Sequence, residues 1–285
     1  MRRSVMFMEM KRPQGGQLAL YAAALVFAFT NLFVKLAGRG FSGLFVSGSR
    51  FAIGVALATI AVTARKRRFD RATLPDILLR GLFGACSMVA SYVAITMTSP
   101  GRAVLLANTY PVFVTIFGAL FFGEKPGKRV WGSLALCVAG AVLVVRDGSG
   151  ADTLGDIIAI GSSLFAGLAV NYVRRASTRG ADPFVLYLSP ALFGLPVLLF
   201  APMPTAFPGF LPLLFLIGVG VGAFGAQALM AWGYRSVTAS KGSVTFFLET
   251  GLTILLGALF AGESLSFRFA LGLALIFGGL WYNRR

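Results

Sequence analysis

Histidine is absent from all 285 residues. That excludes histidine metal sites and imidazole acid–base chemistry. Cysteine is nearly absent: Cys86 and Cys137 each fall inside an apolar run and read as free buried thiols, too few for a disulfide framework or a metal cluster. Charge is scarce, 13% of residues against 57% hydrophobic, and acids are scarcer still, 10 against 26 Lys and Arg. Soluble domains carry about 25% charged residues. Gly148 and Gly150 follow Asp147, but no Gly-Lys-Ser or Gly-Lys-Thr comes after them, so a phosphate-binding loop is excluded. No cofactor is expected.

What the chain has in abundance is long apolar runs and glycine, with a mean hydropathy of +0.80. A helical membrane crossing takes about 20 apolar residues. Ten candidates read off as Leu18–Ala37, Gly43–Thr63, Ile77–Thr96, Ala103–Phe122, Val130–Val145, Leu154–Tyr172, Phe184–Phe200, Leu211–Tyr234, Gly242–Ala261 and Phe267–Tyr282. The runs are continuous rather than alternating, which excludes a β-barrel. The first is too long for a signal peptide core and reads as a retained helix. The 35 glycines suit close helix packing in lipid. The expected fold is all-α, a polytopic protein in contact with membrane lipids.

The formal charge of +16 might suggest nucleic acid, but its placement argues otherwise. Alternating ten spans from a cytoplasmic N-terminus puts 19 of the 26 basic residues on inner segments, with clusters at Arg65–Arg68 and Arg174–Arg179. Outer links keep Arg39, Arg102, Arg146 and Arg268, while Lys35, Arg50 and Arg80 lie within or near spans. This positive-inside pattern predicts a multi-pass cell-membrane protein with both termini cytoplasmic, and no nucleic-acid partner.

The halves repeat. Gly118-Ala-Leu-Phe-Phe-Gly-Glu124 matches Gly257-Ala-Leu-Phe-Ala-Gly-Glu263 at six of seven positions, 139 residues apart, and the same offset carries Gly140 onto Gly279. Five spans separate the copies. Five is odd, so the halves are expected to lie inverted, a common design of secondary transporters. The division is a tail at 1–17, a first repeat at 18–146, an outer linker at 147–153, a second repeat at 154–283 and a C-terminus at 284–285. Two halves already make one closed unit, so a monomer is expected. Glu124 and Glu263 read as structural groups that cap or orient loops.

These residues resemble the drug/metabolite transporter superfamily in its ten-helix EamA-type branch. The resemblance rests on Pro111-Val-Phe, on the two Gly-Ala-Leu-Phe motifs, on Arg50-Phe-Ala-Ile-Gly and on Gly155-Asp156. It covers residues 15 to 283 and implies transport of a small metabolite, in many members outward. The family's pattern places a proline in the ninth span opposite Pro111; this chain has Thr250 there, followed by Gly251.

Glu249 lies in the ninth run, far from any neutralising neighbour except Lys241 at its edge. A carboxylate in hydrocarbon is costly and marks function by default. It reads as a ligand for a substrate amino group or as a proton carrier; the bland alternative is a helix-packing residue. The repeat sets Tyr110 opposite it, with Asn108 beside the helix-loosening Pro111. Gln227, Tyr92 and Asn31 are further wall candidates, and Arg50 is a candidate for a substrate carboxylate. Trp232 and Tyr234 read as interfacial anchors, and Asn171, close to the inner end of the sixth span, as a residue that meets water or caps the helix end. A carboxylate and an arginine together suit a zwitterion, so the expected substrate is an amino acid or a related metabolite. The expected function is export of that solute by alternating access. A proton-coupled uptake carrier for a nucleoside, vitamin or organic cation is the alternative. A lipid-modifying enzyme lacks its polar cluster here; a channel or scramblase fits the buried acid less well.

Overall fold

The computed structural model describes residues 13–64, 71–97, 106–145, 153–204, 207–261 and 267–284. The chain runs through α1 (Pro13–Ala37), α2 (Gly43–Ala64), α3 (Leu74–Met97), α4 (Tyr110–Phe121), α5 (Lys128–Val145), α6 (Thr153–Thr178), α7 (Pro183–Gly194), α8 (Phe210–Gly233), α9 (Ala239–Val244), α10 (Phe247–Ala261) and α11 (Phe267–Arg284). A 3-10 turn, Leu195–Phe200, extends α7. Helices are what such a sequence must form, because lipid offers no partner for a backbone N–H or C=O.

Six segments are long and apolar enough to cross a membrane: α1 from Gly15, α2, α3 over Leu74–Ser91, α6, α7 with its extension, and α8; α4 is a shorter apolar helix. The exterior carries large exposed hydrophobics such as Leu18, Ile60, Leu120, Phe121, Leu199 and Phe210. That outward-facing apolar surface is a membrane protein's.

The fourth and ninth expected spans are interrupted. Residues 106–107 are helical, 108–109 form a turn, and α4 starts at Tyr110. Bonds from Thr109 N to Leu106 O and from Val112 N to Thr109 O tighten this passage into 3-10 geometry, and Pro111 lacks an N–H to do otherwise. In the ninth, α9 stops at Val244 and α10 starts at Phe247. Here too i+3 bonds appear, from Thr245 N to Gly242 O and from Phe246 N to Ser243 O. Gln17 on α1 donates to Thr245 Oγ1 at 2.7 Å and pins the break. The interruption is therefore at Thr245–Phe246, not at Thr250.

Packing pairs the two halves reciprocally. α3 packs on α6 as α8 packs on α1; α3 meets α7 as α8 meets α2; α4 meets α6 as α10 meets α1. α5 and α11 pack on each other through matched small residues. A Cβ on Gly140 would sit 2.6 Å from Gly272 O and 3.0 Å from Ile276; one on Gly279 would sit 2.6 Å from Cys137 Sγ and 3.0 Å from Ser133 O. Cys137 Sγ donates to Ile276 O at 3.6 Å, and those two residues are 139 apart. Only glycine allows backbones this close.

Candidate functional site

The site grows from the two interruptions. α10 begins with Phe247, so Glu249 stands in its first turn, where the helix dipole favours an anion. α1 packs alongside, and Asn31 Nδ2 donates to Glu249 Oε1 at 2.9 Å and to Thr253 Oγ1 at 3.3 Å. One residue on from Glu249, Thr250 accepts from Asn108 Nδ2 at 3.0 Å. The amide in the break of the fourth span thus reaches the first turn of α10. Tyr110, first residue of α4, feels the charge of Glu249.

A second cluster adjoins the first. Arg80 on α3 is 4% exposed and Gln227 on α8 is 7% exposed. Arg80 Nη2 donates to Gln227 Oε1 at 3.0 Å. Arg50 on α2 lies within electrostatic range of both Arg80 and Glu249, so it links the clusters. Tyr187 and Tyr234 are further electrostatic neighbours of Arg80.

Of the residues expected from sequence, Asn31 and Asn108 thus reach the first turn of α10 at Glu249 and Thr250, from α1 and from the break in the fourth span, and Tyr110 is an electrostatic neighbour of Glu249. Gln227 hydrogen-bonds Arg80 instead of Glu249, and Arg50 is an electrostatic neighbour of both Arg80 and Glu249. Tyr92 lies on α3, but its side chain is outside the described part of the structure. Thr250, Thr253 and Arg80 were not among the candidates. Two threonines in an apolar helix carry little signal. Arg80 had one: it is a basic residue inside the third span.

Two expectations are corrected. Asn171 does not meet water; it is 2% exposed and donates to Val114 O at 3.0 Å and Gly167 O at 2.9 Å. Tyr234 is not an interfacial anchor: it is wholly buried and tilted against Phe246. Its carbonyl accepts from Arg174. Trp232 is partly buried and sets its ring edge against Phe184. Tyr234 was misplaced because its end of α8 packs against Gly242 of α9, which hydropathy does not reveal.

Glu124 lies apart from the site. Its carboxylate accepts from Ala239 N at 2.6 Å, Ser240 N at 3.0 Å and Ser240 Oγ at 2.5 Å, closing the N-terminus of α9. Its repeat partner Glu263 falls outside the described residues. On the same side, Asp76 holds Arg175 at 2.5 Å and Arg179 at 3.0 Å. Arg175 also lies over the rings of Phe122 and Tyr172. An apolar groove of about 390 Å³, lined by residues of α3, α6 and α7 such as Leu82, Val89, Ile158 and Phe193, includes none of the site residues.

The EamA-like transporter family matches the chain twice, over residues 14–146 and 153–284. The chain is 29% identical over 167 residues to the pseudopaline exporter CntI of two Pseudomonas aeruginosa strains, a stretch covering 58% of this chain and 59% of that protein. It is 26% identical over 249 residues to mouse solute carrier family 35 member G1, covering 80% of this chain and 66% of that one. The match thus spans about three fifths to two thirds of these relatives' length. A protein of known crystal structure shares the fold, with a TM-score of 0.78, 21% identity and coverage of 94% of this chain and 96% of that one.

Proposed function

The chain belongs to the EamA-like transporter family, and from that premise we propose a secondary active carrier that exports an amino acid or related zwitterion by alternating access. The observation that carries the reading is the meeting of two interrupted helices around Glu249. Interrupted helices lining an interior are where transporters bind their solutes. Glu249 receives the substrate's amino group or a proton, Asn31 orients that carboxylate, and Asn108, Tyr110 and Gln227 complete the wall. Arg50 draws the opposite charge.

The architecture proposed with it is ten crossings in two inverted five-helix repeats, both termini in the cytoplasm. The twofold family match supports it. So do the reciprocal helix pairings and the α5–α11 contact between residues one repeat apart. The exporter among the relatives supports the outward direction.

Reconstitution in proteoliposomes and counterflow of labelled metabolites tests the reading. Saturable exchange of an amino-bearing solute is expected. Current without saturation would indicate a channel and overturn it.

A further inference from the structure

Arg80 sits about 9 Å along α3 from Leu74, at about 1.5 Å per residue. Its guanidinium lies across Gly84, where any Cβ would collide with Nη1. Nη2 donates to Gln227, a neutral partner, and Nε, although buried, has no acceptor among the described residues. No ion pair joins Arg80 to a described carboxylate. Asp76 is taken by Arg175 and Arg179, Glu124 by α9, and Asp182 by the N-terminus of α7. Glu249 and Arg50 lie within range of each other and offset one another. Asp156 has a contact of its own. Among the described residues Arg80 is then left as a buried positive charge without a paired carboxylate, and its neighbour Arg50 has the same sign.

A second donor lies two turns beyond Gln227 on the same side of α8. Tyr234 is 0% exposed, its hydroxyl has no hydrogen-bond partner among the described residues, and its charged neighbours are Glu124, Arg80 and Arg174. Buried charges and buried donors are costly when nothing meets them, and interiors rarely keep them idle.

We propose that Arg80 and the Tyr234 hydroxyl form an anion subsite that takes a carboxylate of the transported solute. The solute then carries one more carboxylate than amino groups: one carboxylate for Arg80, the zwitterionic pair for Arg50 and Glu249. This rests on the carrier reading above and sharpens its substrate class from a zwitterion to an amino dicarboxylate. Arginine's planar fork suits a carboxylate better than a point charge would. A free inorganic anion shares part of that chemistry, so the test separates the two.

Thermal unfolding of the full chain in detergent, at constant ionic strength, is followed with L-glutamate, L-glutamine or sulfate as probe. Glutamate should raise the Tm in a concentration-dependent way, with glutamine at least about ten-fold weaker by midpoint. Arg80→Gln should abolish the preference for glutamate over glutamine. Tyr234→Phe, which removes one hydroxyl and keeps the ring, should weaken the glutamate response even if Arg80→Gln fails to fold. Equal responses to glutamate and glutamine, or no response of the wild type to glutamate, overturn the proposal and make Arg80 a helix-packing group. A sulfate response matching glutamate's and lost in the variants overturns the solute assignment and leaves an inorganic-anion site. Counterflow is measured separately, so failure of transport and failure of this subsite are told apart.

Discussion

Asn31 and Glu249 stand 218 positions apart and share a 2.9 Å hydrogen bond from amide to carboxylate. The bond ties the middle of α1 to the first turn of α10, in which Thr250 is already held by Asn108. Two helices from opposite ends of the chain thus converge on one acid.

Glu249→Gln keeps the size and removes the charge. If the carboxylate receives an amino group, affinity for the amino-bearing solute should fall at least about ten-fold, which equals about 1.4 kcal/mol. If it carries only the proton, binding should stay normal while response to a pH gradient vanishes. Binding and pH-driven transport in that one variant separate the roles. Wild-type behaviour in both would make Glu249 a packing residue.

Asn31→Ala removes the donor but leaves the acid. A hydrogen bond to a charged group contributes about 1.5–3 kcal/mol. The variant should lose roughly ten-fold in affinity. In the Glu249→Gln background the same change should cost much less, since the pair acts together. Additive losses in this double-mutant cycle would show the two residues acting separately.

Three glycines on α5 and α11 give a controlled comparison. Gly140→Ala and Gly279→Ala each put a methyl 2.6 Å from the partner helix, whereas a Cβ on Gly278 meets nothing within 4 Å. The first two should lose about 1–3 kcal/mol through overpacking; Gly278→Ala should stay within about 0.5 kcal/mol. Thermal unfolding in detergent reads all three. Equal tolerance would mean that α5 and α11 do not meet there.

Glu124→Ala strips three acceptor contacts from the start of α9. Melting temperature and expression should drop, with roughly 1–3 kcal/mol lost for donors left unmet. Solute affinity of the protein that folds should be unchanged. A selective loss of affinity with normal stability would mean that the pathway reaches Glu124.

Orientation is tested with single cysteines on a background lacking Cys86 and Cys137. A cysteine replacing Phe69 should label only from the cytoplasm, and one replacing Gly148 only from outside. The reverse pattern would invert the topology.

The apolar helices and the acid in the ninth run could be read directly, because burying backbone in lipid and isolating a carboxylate there both leave marks in local composition. The 139-residue repeat, too, was visible as two matching motifs, and it set Tyr110 opposite Glu249. Arg80 was visible as a charge inside a span, but its partner was not: Gln227 lies 147 positions away. Asn171 and Tyr234 were misread for the same reason, since what covers a helix end is another helix from elsewhere in the chain.

By itself the sequence determined what the solvent demands: helices, their approximate lengths, and which residues must avoid hydrocarbon. Hydropathy is a local property, so local windows suffice for it. Tertiary structure decided where the helices tighten and which polar groups meet. The break fell at Thr245–Phe246, pinned by Gln17 from α1, not at the position where the family has proline. Asn31 found Glu249, and Arg80 found a neutral partner. Those outcomes depend on hydrogen-bond geometry between distant segments, which residue spacing along one chain does not encode.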